Sequence, residues 1–487
     1  MANIGRRKKT EDAQNLMSKQ ASLRWCRAVI GSLALAGVLL SAAQAAPLIS
    51  PAAGSDAVLA QAHAEPELRL QYRVQRDSAP SETVTIGLAR DYHYKNSALG
   101  LWVYDYRLRR IFRTNSKSEY TNDSLYAEAW YRRMELENRA NINEMLKQGG
   151  VDAHLQLTAQ DPYWAETELG LTTPKFNRPA LRRTDSGDRI SWQLNGQEML
   201  AIRYRHESVP SELRGALRRL WPSIAFIHPQ IADALAASAR LPEELWVRQM
   251  VQAGKSFEVA HWTRLHDEWV TQGRYPLPPG LVSVPTDSSG AYPQIFQMLS
   301  AAVAERRGAA SGEEYRRRFD AAMTRKAGLE ALTWALEMQL AAGASSDCTP
   351  PSDSDFCRML GEAGPLAKQD PRTALAFAKQ SPDAADRAQF SDLPNAYVLH
   401  LLWITKPRGK GVKVEDSEAD FMRAWRASAV ANFCKDGGDF YAATWRPFAA
   451  WQIYDLGRLM VGHKRGDLLD QVDTVEQQVV HGEPTLF

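Results

Sequence analysis

Four arginines, Arg107, Arg109, Arg110 and Arg113, interleave with Trp102, Tyr104, Tyr106 and Phe112 in the stretch LWVYDYRLRRIFR. A guanidinium makes paired hydrogen bonds to carboxylate or phosphate, and aromatic faces pack acyl chains, so this composition suits an anionic or amphiphilic ligand. Trp102, Tyr104, Tyr106, Arg107, Arg109 and Arg110 are the candidate ligand-binding set. The competing expectation is a solvated strand edge, whose charges discourage edge-to-edge pairing. His261 and His266, with Asp267 and Glu268 beside them, form a second cluster. Five positions apart, two side chains on a helix diverge by about 140°, and on a strand they take opposite faces, so one metal does not suit both. Solvated or core histidines are the plain expectation, and a catalytic His–Asp pair is the sharper one.

Other chemistries lack their usual residues. There is no G-x-S-x-G elbow, no Walker loop, no G-x-G-x-x-G and no C-x-x-C, so neither a cofactor nor a metal is expected. Ser288 and Ser289 before Gly290 read as a turn. Catalysis is not indicated, and an envelope hydrolase would need a group assembled only in three dimensions.

The elements that must position these residues follow from periodicity. Leu68, Leu70, Tyr72 and Val74 alternate with polar residues, as do Val84, Ile86 and Leu88, which predicts half-buried strands. LWVYDYRLRRIFRTN reads as two strands joined near Arg107–Arg109. Residues 122–150 predict a helix capped by Asn122 or Asp123 and ended by Gly149-Gly150. Asn195-Gly196, flanked by Ile190, Trp192, Leu194 and Leu200, Ile202, Tyr204, predicts a hairpin. Short helices carry Leu213, Leu217 and Leu220, then Ile231 and Leu235. Residues 257–274 fit strand or helix, and a hairpin is favoured. Beyond 293 the pattern is helical, with stripes at Leu329, Leu332, Leu336, Leu340 and at Met422, Trp425, Ala429, Phe433.

The fold class expected is α+β. An antiparallel sheet with packed helices spans 62–275, a Pro/Gly-rich linker 276–292, and an all-helical domain of solenoid- or bundle-like helix pairs 293–487. The aromatic-rich strands resemble, over about fifty residues, the half-barrel sheets of lipoprotein carriers. That resemblance implies a bound lipid or other amphiphile.

Residues 1–45 read as a secretory signal. A positive flank from Arg6 to Arg27 precedes the apolar run 28–40, and Ala43-Gln44-Ala45 supplies a small-x-small site for cleavage after Ala45. The apolar run covers only about 20 Å as a helix, short for a span, although retention as an inner-membrane anchor is the alternative. Residues 46–61 are expected to be a flexible leader. The whole chain carries a net charge of +2 and residues 1–45 carry +5, so the mature chain stands near −3 and nucleic acid is not an expected partner. In an oxidising compartment Cys348 and Cys357, closing CTPPSDSDFC, suit a disulfide, with Cys434 as the odd thiol. The rival pairing joins Cys357 to Cys434. The function expected is a non-enzymatic, periplasmic protein-binding or assembly factor of a bacterial envelope, with an envelope protein as partner. A lipid or amphiphile carrier is the alternative.

Overall fold

Alternating apolar residues build one sheet from two meanders. The first comprises β1 (Glu65–Arg76), β2 (Ala79–Leu88), β3 (Tyr92–Ser97), β4 (Gly100–Asp105), β5 (Arg110–Thr114) and β6 (Glu119–Ser124). The second comprises β7 (Arg182–Ser186), β8 (Arg189–Leu194), β9 (Gln197–Ser208), β10 (Arg240–Val251) and β11 (Ser256–Gly273). β1 pairs antiparallel with β11 and joins the halves. β12 (Val282–Ser283) adds to β6 in parallel, completing the order β12-β6-β5-β4-β3-β2-β1-β11-β10-β9-β8-β7. Residues 256–273 are thus one continuous strand paired with β10, and the hairpin favoured within 257–274 does not form, because β11 finds its partners in β10 and β1 instead. Asn195 and Gly196 take φ of 52° and 80°, as the tight β8–β9 turn requires.

This description comes from a computed structural model. It describes residues 54–487 except 78, 115–117, 149–160, 178, 252–255, 307–311, scattered positions between 327 and 340, 341–354, 368–417, scattered positions between 420 and 431, and 462–466.

The pairing register sorts the strands into two faces. Leu68, Leu70, Tyr72 and Val74 of β1 share one face with Val84, Ile86 and Leu88 of β2, Trp262 of β11, and Leu245 and Val247 of β10. Helices α4 (Arg214–Ala225) and α5 (Pro229–Ser238) lay Leu217, Leu220, Trp221, Ile224, Ile231 and Leu235 against it, forming one buried cluster. Each such side chain contributes about 1.5–3 kcal/mol on burial. Residues 55–61, expected within a flexible leader, instead form helix α1 (Ser55–Gln61), because Val58 finds an apolar site among Tyr92, Tyr94, Val103 and Tyr275. The segment expected as a linker buries Leu277 and Leu281 in that same cluster.

Helix α2 (Leu125–Gln148) follows β6 directly. Asn122 and Asp123 do not cap it, being strand residues paired with Phe112 and Ile111; the Ser124 hydroxyl instead accepts from the Tyr126 amide at 3.2 Å. In α3 (Pro162–Leu169), Asp161 accepts from the Tyr163 amide at 2.9 Å and Gly170 ends the helix at φ 64°.

The C-terminal region is helical: α6 (Tyr292–Arg306), α7 (Gly312–Thr324), α8 (Asp355–Ala367), α9 (Asn432–Ala443), α10 (Pro447–Val461) and α11 (Asp467–Gly482). These helices share a core with Ala127 of α2, and α10 packs on α2 and β6. The described residues from 54 onward belong to one compact unit. Of the expected stripes, Met422 and Trp425 pack on this core, whereas Leu329, Leu332, Leu336, Leu340 and Ala429 lie outside the described residues. Cys434 is buried and in no disulfide, its sulfur lying 4.0 Å from Met460 Sδ, which removes the Cys357–Cys434 pairing; Cys348 lies outside the described residues. Among the described residues no helix is long and apolar enough to cross a membrane, and the 28–40 run and Ala45 lie outside them.

Candidate functional site: an arginine-lined cleft

The aromatic–arginine set does not converge. Trp102, Tyr104 and Tyr106 share one face of β4 and the turn after it, but only Trp102 reaches solvent, at 40% exposure. Tyr104 and Tyr106 are buried in a small cluster with Ile111 and Leu125. Arg109 takes the left-handed conformation, φ 56°, which turns its neighbours in different directions. Arg107 donates to the main-chain oxygen of Gln61, and Arg109 lies 5.0 Å over the ring of Phe487. Arg110 is buried, with Nη1 donating to Asp455 Oδ2 at 2.5 Å. Arg113 sits 5.5 Å over Trp102 and pairs with Asp123 and Glu128. His261 stacks on Trp246 at 4.8 Å on the sheet face opposite Trp262, and His266 is exposed. Neither lines the cleft described next.

A cleft of about 660 Å³ lies where α2, the loop after α3, α4, α5 and the segment after α11 meet. Arg132 and Arg133 come from α2, Arg218 and Arg219 from α4, Glu166 from α3, and Glu483 from the last segment. The adjacent arginines of each helix splay around its axis and so meet different partners. Arg132 donates to Glu128 Oε1 at 2.8 Å, to the Tyr104 hydroxyl at 3.2 Å and to the Leu169 carbonyl at 3.3 Å. Arg133 pairs with Glu483 and donates to the Thr172 carbonyl at 3.1 Å. Arg218 pairs with Asp233 at the open side. Arg219 lies 3.9 Å over the Tyr106 ring and donates to main-chain oxygens of Phe487 and Arg90 at 3.2 and 3.1 Å.

Behind the cleft runs a buried polar chain. Burial opposes charge on Glu128, but the flanking Arg132 and Arg113 outweigh it and hold its carboxyl down at about 2. His93, inward-facing opposite Tyr104, is fully buried; burial, reinforced by Arg219 and Arg132, pushes it down to about 3. Its Nε2 lies 2.8 Å from Ser223 Oγ and its Nδ1 3.0 Å from the Tyr106 hydroxyl. This resembles a nucleophile–base pair by distance only. The one proton of the Ser223 hydroxyl also has the carbonyls of Arg219 and Leu220 within reach, at 3.0 and 2.8 Å, so His93 is one of three acceptors that compete for it. A second pair, His228 and Glu166, closes at 3.0 Å with both side chains buried. Glu166 also accepts from the Thr173 amide at 3.0 Å, and His228 Nδ1 accepts from the Gln230 amide at 3.3 Å. This pair ties α3 to the start of α5.

No group of acids, histidines and cysteines among the described residues could hold a metal. Arg132, Arg133, Arg218 and Arg219 line the cleft together with Glu166, Asp233 and Glu483, beside Leu171 and Phe176. Sequence reading missed it because its arginines come from distant elements. The paired Arg132-Arg133 and Arg218-Arg219 were its only local signal. No family profile, no curated protein and no solved structure matches the chain.

Proposed function

We propose that the protein is an exported, non-enzymatic binding or assembly factor of a bacterial envelope, and that its cleft receives an anionic segment of a partner protein. The observation that carries this reading is the placement of Arg133, Arg218 and Arg219 on two helices around one opening, beside apolar side chains. Guanidinium groups fixed by neighbouring contacts recognise carboxylates with less entropy lost on binding. On this reading the signal is removed after Ala45 and the protein works in the periplasm. Cys348 and Cys357 form a bridge, and the C-terminal helices stack as solenoid- or bundle-like pairs.

A photo-crosslinking residue at Gln230, which lines the cleft, tests the proposal in cells. One dominant envelope partner is expected, and its yield should fall at least tenfold when Arg218→Glu reverses charge at the open side. Recovery of no partner, or a yield indifferent to the reversal, overturns it.

A second reading, a carrier of lipid or other amphiphile, is favoured by the apolar face of the long antiparallel sheet. Leu217, Leu220 and Trp221 already fill that face, so a ligand there would have to displace α4. Organic extraction of purified protein yields stoichiometric lipid if this second reading holds.

A further inference from the structure

In the segment Glu483–Phe487, Glu-Pro-Thr-Leu-Phe, the first four residues form one wall of the cleft, and the segment pairs with no described strand. It is held by three kinds of contact from elements far away in the chain. The Glu483 carboxylate, only 6% exposed, pairs with Arg133 of α2. Leu486 packs on the cluster of Leu136, Leu169 and Phe176. The Phe487 ring lies 5.4 Å from Tyr126 and 5.0 Å from the Arg109 guanidinium, while its main-chain oxygen accepts from Arg219 at 3.2 Å. The Leu486 amide donates to the Glu483 carbonyl at 3.0 Å, closing a turn that presents acid, aliphatic and aromatic groups together. Exposed Gly482 joins the segment to α11, and Pro484 restricts its unbound conformations. Lifting it away breaks side-chain contacts but no sheet ladder.

We infer that Glu483–Phe487 is an internal occupant of a peptide-binding site, and that the partner carries a segment of the same chemistry: a carboxylate followed by an aliphatic side chain three positions later and an aromatic one four positions later. This rests on the function proposed above and names its partner class. A tethered occupant acts at an effective concentration in the millimolar range, so a competing peptide binds the intact protein weakly and the released site strongly.

The test uses the full chain and a fluorescent peptide of sequence Gly-Glu-Pro-Thr-Leu-Phe. Leu486→Ser combined with Phe487→Ser releases the segment. This variant should bind the peptide at least tenfold more tightly than the unaltered chain. Adding Arg133→Ala should remove that gain, as should changing the peptide's Glu to Gln. Equal binding by the released and unaltered chains, or binding indifferent to Arg133→Ala, overturns the inference. Should the double variant fail to fold, hydrogen exchange on the unaltered chain decides: saturating peptide should speed exchange at the Leu486 amide, and unchanged protection overturns the inference. A partner that still crosslinks at Gln230 while the peptide never binds refutes this inference alone. A peptide that binds while no partner crosslinks refutes the proposed function instead.

Discussion

Glu128 shows how a buried charge is made tolerable at this site. Its oxygens receive hydrogen bonds from Arg113 at 2.9 Å and Arg132 at 2.8 Å, and the carboxyl stays ionised despite burial. Removing one partner from such a cluster is costly because the others remain buried and charged, typically by about 3–5 kcal/mol. Glu128→Gln is therefore expected to lower stability in urea by about 3 kcal/mol at pH 7. The sign of the pH dependence follows from the depressed carboxyl. Its stabilisation is full above the unfolded value near 4.5 and is lost as pH falls toward about 2, so the deficit of the variant should shrink across that window. A deficit that stays constant between pH 7 and pH 3 would refute this account. His93 acts in the same direction. Held near 3 in the fold, it leaves the protein most stable above the unfolded value of 6.5 and weakens it as pH drops below that. Neither role was legible in the sequence. Tyr92, His93 and Tyr94 are all buried, so no alternation marks the face His93 takes, and its neighbours Tyr104, Tyr106 and Ser223 come from β4, the turn after it and α4, which periodicity cannot place. The arginines near residue 110 were legible as charges and misleading as a group, because one left-handed residue, Arg109, sends Arg107, Arg110 and Arg113 to separate partners.

Elements with a clean period were read correctly from local signals alone: β1, β2 and the hairpin of β8 and β9 from period two, and α4 from its helical stripe. β6 was not, and the reason is physical. Asn122, Asp123 and Ser124 are buried but polar, Asp123 accepting from Arg113 and Thr286 and Ser124 from the Tyr126 amide, so a strand looked like a helix cap. The α9–α10 pair depends on a feature of another kind. A Cβ at Gly438 would stand 2.1 Å from the Tyr454 ring, and one at Gly437 2.8 Å from Phe421. The two helices approach at these glycines, and Tyr454 donates to Asp439 at 2.7 Å across the contact. Gly438→Ala gains helix propensity but forces that ring aside. The expected net loss is about 1–3 kcal/mol, read as a lowered melting temperature. An unchanged or raised melting temperature would show that the contact can relax.

At the scale of the whole molecule, the sheet and the C-terminal helices are joined by charge as well as by apolar packing. Arg110, from the start of β5, reaches Asp455 of α10, which also meets Arg458; Arg458 in turn holds Glu476 of α11 at 2.9 Å. Both Arg110 and Asp455 are nearly inaccessible, so the pair should couple the two regions in unfolding. Arg110→Met should lower stability by about 3 kcal/mol, whereas Arg110→Met combined with Asp455→Leu should recover much of that loss. Additive losses in this cycle would refute the coupling. The organisation of the sheet has a separate consequence for how the chain is made. β1 is synthesised first among the strands, yet its second neighbour, β11, arrives roughly 190 residues later. During that interval β2 covers one side of β1, and the other side stands as an open template for any extended peptide nearby. The sheet closes late, with the second meander docking onto the first, and whatever accompanies the growing chain must shield that edge until residue 273 has emerged.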